Sequence, residues 1–174
     1  MSRLLPRELL LAVYPFARGF AFAYFEGPLS PVDWGVKEIH GKDKNARALE
    51  ALRGLVDLLQ PDALVLQDCT GPQARRAERI KRLHKLIGHF AAVQSIDVHA
   101  YSRAQVRDCF SKVGARTRFE IAQAIASQVH AFGHRLPPVR KIWQSEDPRM
   151  SLFDAAALAM THYSTIGFPP DQFT

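Results

Sequence analysis

The segment Leu9 to Phe25, LLLAVYPFARGFAFAYF, constrains this chain more than any other. It opens on Leu9-Leu10-Leu11-Ala12-Val13 without a polar break. A short apolar run bounded by a turn signal predicts a strand covered on both faces. Pro15, Arg18 and Gly19 punctuate the chain, and a second apolar run, Phe20 to Phe25, stops at Glu26-Gly27-Pro28. The pattern predicts a hairpin at the centre of a sheet, with Tyr14 at the tip of its first strand. So apolar a hairpin needs cover on both sides.

The remaining segments supply that cover. Val32 to Ile39 predicts a third strand at the sheet edge, broken by Gly41. From Asn45 to Leu59, Leu49, Leu52, Leu55, Val56 and Leu59 recur at helical spacing, and Pro61-Asp62 ends that helix. Ala63 to Leu66 predicts a short buried strand that delivers Gln67 and Asp68 at its carboxyl end. Gln73 to His89 predicts a cation-dense helix with Ile80, Leu83 and Ile87 on its apolar face, and Ala92 to Val98 a fifth strand. Ser102-Arg103-Ala104-Gln105 and Thr117-Arg118-Phe119-Glu120 both have the form of a capping box. The second opens a helix striped by Ile121, Ala124, Ile125, Gln128 and Val129 and closed by Gly133. His134 to Glu146 reads as a loop. Asp147 as N-cap and Pro148 at the first position start a last helix, striped by Met150, Phe153, Ala157 and Leu158. It ends near Gly167, and the residues after Phe168 form a loosely held tail. The order predicts an α/β fold: a mixed five-stranded sheet, its first three strands antiparallel, with helices on both faces. The length, 174 residues, suits a single domain.

A net charge of +6 tilts the expectation toward a polyanionic partner. Cys69 and Cys109 make neither a disulfide framework nor a metal-ligand spacing, so a reducing, cytoplasmic setting is expected. Arg3 and Arg7 before Leu9 to Val13, with Ala21-Phe22-Ala23 beyond, imitate a secretion signal, but Glu8, Pro15 and Arg18 interrupt its apolar core. No apolar run approaches the roughly 18 residues of a membrane span, so no membrane partner is expected.

Ala12-Val13-Tyr14-Pro15 followed by Arg18-Gly19 begins a series of short signatures. Pro61-Asp62 before a buried strand, Tyr101-Ser102 with Val106, and Asp154-Ala155-Ala156-Ala157-Leu158-Ala159 with Thr161-His162 complete it. In this order they resemble the RNase H-like superfamily, and within it the RuvC-type Holliday-junction resolvases, over Leu9 to His162. The Asp154 block is the most specific. The resemblance implies an RNase H-like (RuvC-like) fold, a homodimer, and DNA cleavage by two divalent ions held on four carboxylates. Mg²⁺ or Mn²⁺ would be the cofactor of an active member, since hard cations take oxygen ligands and two clamped ions stabilise attacking and leaving oxygens.

Carried over position by position, the first-strand acid falls on Tyr14, the fourth-strand acid on Gln67 and the earlier helix acid on Ser151. Only the later helix position, Asp154, is a carboxylate. A phenol with an ordinary pKa near 10 is a poor ligand for a hard cation, and Gln67 offers no charge. Asp68 neighbours the lost glutamate, though strand alternation points it away unless a bulge or the strand's end turns it back. Asp147 shares a helix face with Ser151 and Asp154, though its residue type and place read first as a helix cap. Asp154 also has a purely local reading as a hydrogen-bonding remnant, His162 as a structural histidine, and Glu146 is a spare carboxylate.

The basic features survive where the acids do not. Arg75, Arg76, Arg79, Arg82 and Lys85 crowd the second helix, Arg116 precedes and Arg118 lies within a capping box, and Arg140 and Lys141 precede the last helix beside Trp143. Such clusters suit phosphates, without any spacing for base-specific readout. DNA is favoured over RNA as the partner. Glycine-rich phosphate loops and a nucleophile elbow are absent, which sets aside actin-like ATPases and serine hydrolases. Three expectations stand: a nucleic-acid-binding domain degenerate as a nuclease, an active nuclease with Asp68, Asp147 and Asp154 as rearranged ligands, and a protein-interaction subunit of a nucleoprotein assembly.

Overall fold

The computed structural model describes residues 8–71 and 76–173. Five strands, β1 (Leu10–Phe16), β2 (Gly19–Phe25), β3 (Pro31–Glu38), β4 (Ala63–Gln67) and β5 (Asp97–Tyr101), form one sheet in the order β3-β2-β1-β4-β5. The first three run antiparallel, and β4 and β5 pair parallel to β1 and to each other. The apolar hairpin is thus the centre of the sheet. Its tight link puts Gly19 where a side chain would run into the Lys37 carbonyl oxygen of β3, so only glycine fits.

Strand alternation sorts the core into two layers. Leu10, Ala12, Ala21, Ala23, Phe25, Ala63 and Val65 face α3 (Arg103–Ser111), α4 (Arg118–Gln128) and α5 (Arg149–Thr165). Leu11, Val13, Phe20, Phe22, Tyr24, Leu64 and Leu66 face α1 (Lys44–Leu59) and α2 (Glu78–Val93). By the same period of two, Tyr14 joins the α5 side. The expected stripe on α5 is instead burial on every side, from Met150 to Tyr163 apart from Asp154. Its alanines let it lie close against β1 and β2 while α4 covers its back.

Several boundaries differ from the sequence reading. Gln73 to Arg75 lie outside the described residues, Arg76 and Ala77 precede the helix, and α2 runs on to Val93 because Phe90 and Ala91 extend its buried stripe. Ser95, in the left-handed region, then turns the chain, so β5 starts at Asp97 rather than Ala92. The helix after Thr117 stops at Gln128, not Gly133, since Val129 is extended and a 3-10 helix (His130–Arg135) follows. That turn sets Phe132 against Phe25, Trp34 and Phe153. Beyond Phe168 the chain forms a 3-10 helix (Pro170–Phe173), and Gln128 Nε2 donates to the Pro170 carbonyl at 3.2 Å. Among the described residues no helix is long and apolar enough to cross a membrane.

Candidate functional site

Where β1 and β4 end, a cavity of about 640 Å³ opens between Tyr14, Gln67, Asp68, Arg103, Arg107, Arg118 and Asp154. Gln67 faces α5 by strand alternation. Asp68 lies just past the end of β4, where its N–H donates to the Tyr101 carbonyl at 2.8 Å, and the chain's turn there carries it to the same cavity. Its carboxylate accepts from the Thr70 hydroxyl and N–H, which hold its pKa below the usual range.

Two of the arginines are aimed by the capping boxes. In both boxes the cap hydroxyl accepts from the backbone N–H three residues on while that residue's side chain reaches back to the cap N–H. The next residue is Arg103 in one case and Arg118 in the other, each the first residue of its helix. A cation there opposes the helix dipole by roughly 0.3–1 kcal/mol. Arg118 more than recovers this from Asp154: its Nε lies 3.0 and 3.1 Å from the two carboxylate oxygens, and its Nη2 also donates to Oδ2. Removing one partner from such a half-buried pair costs about 3–5 kcal/mol. Glu146 pairs with the remaining Nη1.

The charges around Asp154 compete. Burial pushes its carboxyl up, against the pull of Arg118 first and then of Arg103 and Arg76. For Arg118, the hydrogen bond and charge of Asp154 outweigh burial and hold the guanidinium charged. Tyr14 is raised by burial and by Asp154, although Arg76, Arg118 and Arg103 oppose the shift. The phenol therefore keeps its proton at neutral pH. Its oxygen accepts from Arg76 Nη1 at 2.8 Å, and the Arg76 guanidinium lies 4.9 Å from the ring centre. Arg76 also donates to the Pro15 carbonyl.

No protein-family model matches the sequence, and no curated protein matches it. Solved structures do. The Thermus thermophilus RuvC structure aligns with a TM-score of 0.64 at 16% identity, over 92% of this chain and 98% of that one. The fold is RuvC-like. The T. thermophilus RuvC in complex with Holliday junction substrate gives 0.63 at 16% identity, covering 93% and 98%. The yeast mitochondrial Holliday junction resolvase Ydc2 gives 0.63 at 11% identity, covering 99% and 87%. The RNase H-like, RuvC-like resemblance read from the sequence is thereby matched in strand order and direction.

The four positions that the resemblance assigns to two hard cations do not fit them. Tyr14 is a protonated phenol under a guanidinium. Gln67 Oε1 is buried without a hydrogen-bond partner. Ser151 is buried on α5 and is not one of the cavity's walls. Asp154 already satisfies an arginine. Asp68 and Asp154 share the cavity, whereas Asp147 borders a second hollow with Arg18, Glu146 and Arg140. The Asp147 carboxylate accepts from the N–H of Arg149 at 2.9 Å and from its side chain at 2.7 Å. It thus holds the start of α5, which begins at Arg149, one residue later than Pro148. The three acids do not form one cluster of ligand atoms within 4.8 Å of each other.

The cations divide into two sets. Arg75 lies outside the described residues. Arg76 and Arg79 turn inward: Arg79 donates to the Ala17 carbonyl and to Asn45 Oδ1, both at 3.1 Å, bracing the hairpin. Arg82, Lys85, Arg116, Arg140 and Lys141 are exposed. Lys141 sits 5.4 Å from the ring centre of Trp143, itself 79% exposed.

Sequence reasoning missed one group entirely. Among the described residues, Glu8, His99 and His162 place ligand atoms within 4.8 Å of one another. They stand at the amino end of β1, on β5 and near the end of α5. His162 is therefore not a lone histidine. No local signal could have found the group, because its members are separated by 91 and 63 positions and only the sheet joins them.

Proposed function

We propose that this chain is a RuvC-like nucleic-acid-binding domain whose cleft receives a backbone phosphate, and that it lacks ordinary two-metal nuclease activity. One observation carries the reading: Arg118 occupies Asp154, the only acid left at the inherited positions. Arg76, Arg103 and Arg118 all act on Asp154, so positive charge is in excess at the cleft. Guanidinium groups pair with phosphate oxygens through fixed forks of donors. Exposed Arg82, Lys85, Arg116, Arg140 and Lys141 extend the cationic surface around it. The solved RuvC complex holds a Holliday junction, which makes branched DNA the first ligand to test.

The test is binding and cleavage of four-way, linear and RNA–DNA hybrid substrates, in Mg²⁺, Mn²⁺ and EDTA. Salt-sensitive binding indifferent to EDTA is expected, without cleavage. Replacing Arg103 and Arg107 together by alanine should weaken all substrates alike and lower the log–log salt slope by about 2. Metal-dependent cleavage abolished by Asp154→Asn would instead establish an active nuclease with rearranged acids, a reading favoured by the shared cavity of Asp68 and Asp154. No binding to any nucleic acid would leave the protein-interaction role.

A further inference from the structure

At the end of α5 remote from the cleft, His162 is 3% exposed and wedged between three polar groups. Its Nε2 lies 3.2 Å from Glu8 Oε2, its Nδ1 lies 2.8 Å from the Tyr101 hydroxyl, and its ring centre lies 4.3 Å from that of His99. The geometry points to a binding site for a zinc-class dication on Glu8, His99 and His162, separate from the cleft and independent of the nucleic-acid reading.

The donor set comes first. Two imidazoles and one carboxylate are the borderline nitrogen and oxygen donors that zinc accepts, and three protein ligands leave a fourth position for water. Magnesium prefers oxygen ligands and a near-ideal octahedron, so this set disfavours it. Two donors at about 2.0–2.1 Å from a tetrahedral centre stand about 3.3 Å apart. The Glu8–His162 separation is already close to that value.

The hydrogen bonds behind His162 sharpen the case. Thr165 donates its hydroxyl proton to the Thr161 carbonyl at 3.0 Å. The Tyr101 hydroxyl stands behind the ring, hydrogen-bonded to His162 Nδ1 at 2.8 Å. When the Tyr101 oxygen accepts from Nδ1–H, Nε2 is the nitrogen free to ligate. In that tautomer Nε2 presents its lone pair to the space beside the Glu8 carboxylate. A proton between Nε2 and the Glu8 carboxylate holds them 3.2 Å apart in the metal-free chain, and a metal ion would take that proton's place. A second proton on a buried imidazole stacked against another histidine is costly; a metal ion supplies the same charge and gives His99 a role. A ligating histidine whose other nitrogen is held by a hydrogen bond is the usual outer-shell arrangement of zinc sites.

Access and consequence follow from the fold. His99 and Glu8 are half-buried, so the site is reached from the β5 edge. An ion there would clamp the chain before β1, the edge strand β5 and the end of α5 together. The experiment is zinc titration of the metal-stripped full chain, followed by calorimetry and thermal melting, with Mg²⁺ as the control. One zinc per chain is expected, with a melting-temperature rise of roughly 5–10 °C at a hundredfold excess over Kd. Mg²⁺ should give none. His99→Ala and Glu8→Gln should each weaken zinc at least tenfold, and Tyr101→Phe about ten- to a hundredfold. Should His99→Ala fail to fold without metal, Glu8→Gln, which keeps the side chain's size, still reports. Zinc uptake absent from the parent chain, or undiminished in Glu8→Gln and Tyr101→Phe, would overturn the site.

Discussion

The two ends of α5 handle positive charge in opposite ways. Asp154, near the start, faces Arg118, Arg103 and Arg76. His162, eight residues and about 12 Å further on, is held by Glu8, Tyr101 and His99. Arginine keeps its proton under all ordinary conditions, so the charge at the cleft belongs permanently to the chain. At the other end the charge is exchangeable, because imidazole accepts either a proton or a metal. This chain has fixed cations where the RuvC-type resemblance implies metal ions, and exchangeable donors where it implies none.

The largest expected effect comes from breaking the fixed pair. Asp154→Ala leaves the half-buried guanidinium only Glu146 as a partner and should cost about 3 kcal/mol in denaturant unfolding. Coupling it with Arg118→Met should restore most of that loss. A single-mutant cost below about 1 kcal/mol would break the comparison, since the cleft would then not depend on its own charge.

Acidification tests the cleft end next. His84, on α2, has both ring nitrogens buried without partners, and burial with the nearby Arg76 charge lowers its pKa to about 4. The unfolded chain takes up that proton near pH 6.5, before the folded chain does. Stability is therefore complete above pH 6.5 and falls as pH drops toward 4, by about 3 kcal/mol. His84→Leu should remove this share of the slope in unfolding measured across that range. His162, which burial also lowers while Glu8 pulls it back, adds to the slope in the same direction.

Matched phenylalanine substitutions compare the two hydroxyls. Tyr14→Phe removes an acceptor from a charged arginine and should cost about 2 kcal/mol. Tyr101→Phe removes a partner of an uncharged imidazole, about 1 kcal/mol by the same measure. The smallest effect belongs to the caps. Thr117→Ala should cost about 1 kcal/mol and loosen Arg118, visible as faster amide exchange at the start of α4.

Local features were legible without the structure. The hairpin could be read from two apolar runs and a turn, because a strand buried on both faces has no polar alternative. The capping boxes could be read because their hydrogen bonds span three residues. Substitution at the metal positions was legible from the resemblance, since Tyr14, Gln67 and Ser151 stand where acids would be. The α2–β5 boundary was not legible: Phe90-Ala91-Ala92-Val93 is apolar at either period, and burial against the sheet chose the helix.

The sequence by itself determined which segments fold into strands and helices, which arginines follow a helix cap, and which acids are missing. Only the tertiary structure decided which charge each remaining group meets. Arg118 and Asp154 are 36 positions apart, Glu8 and His162 154 apart. Such pairs form because β1, β4 and β5 lie side by side and α5 packs across them, carrying Asp154 to one end of the sheet and His162 to the other. Local periodicity encodes the faces of these elements. It does not encode their order or which ends meet.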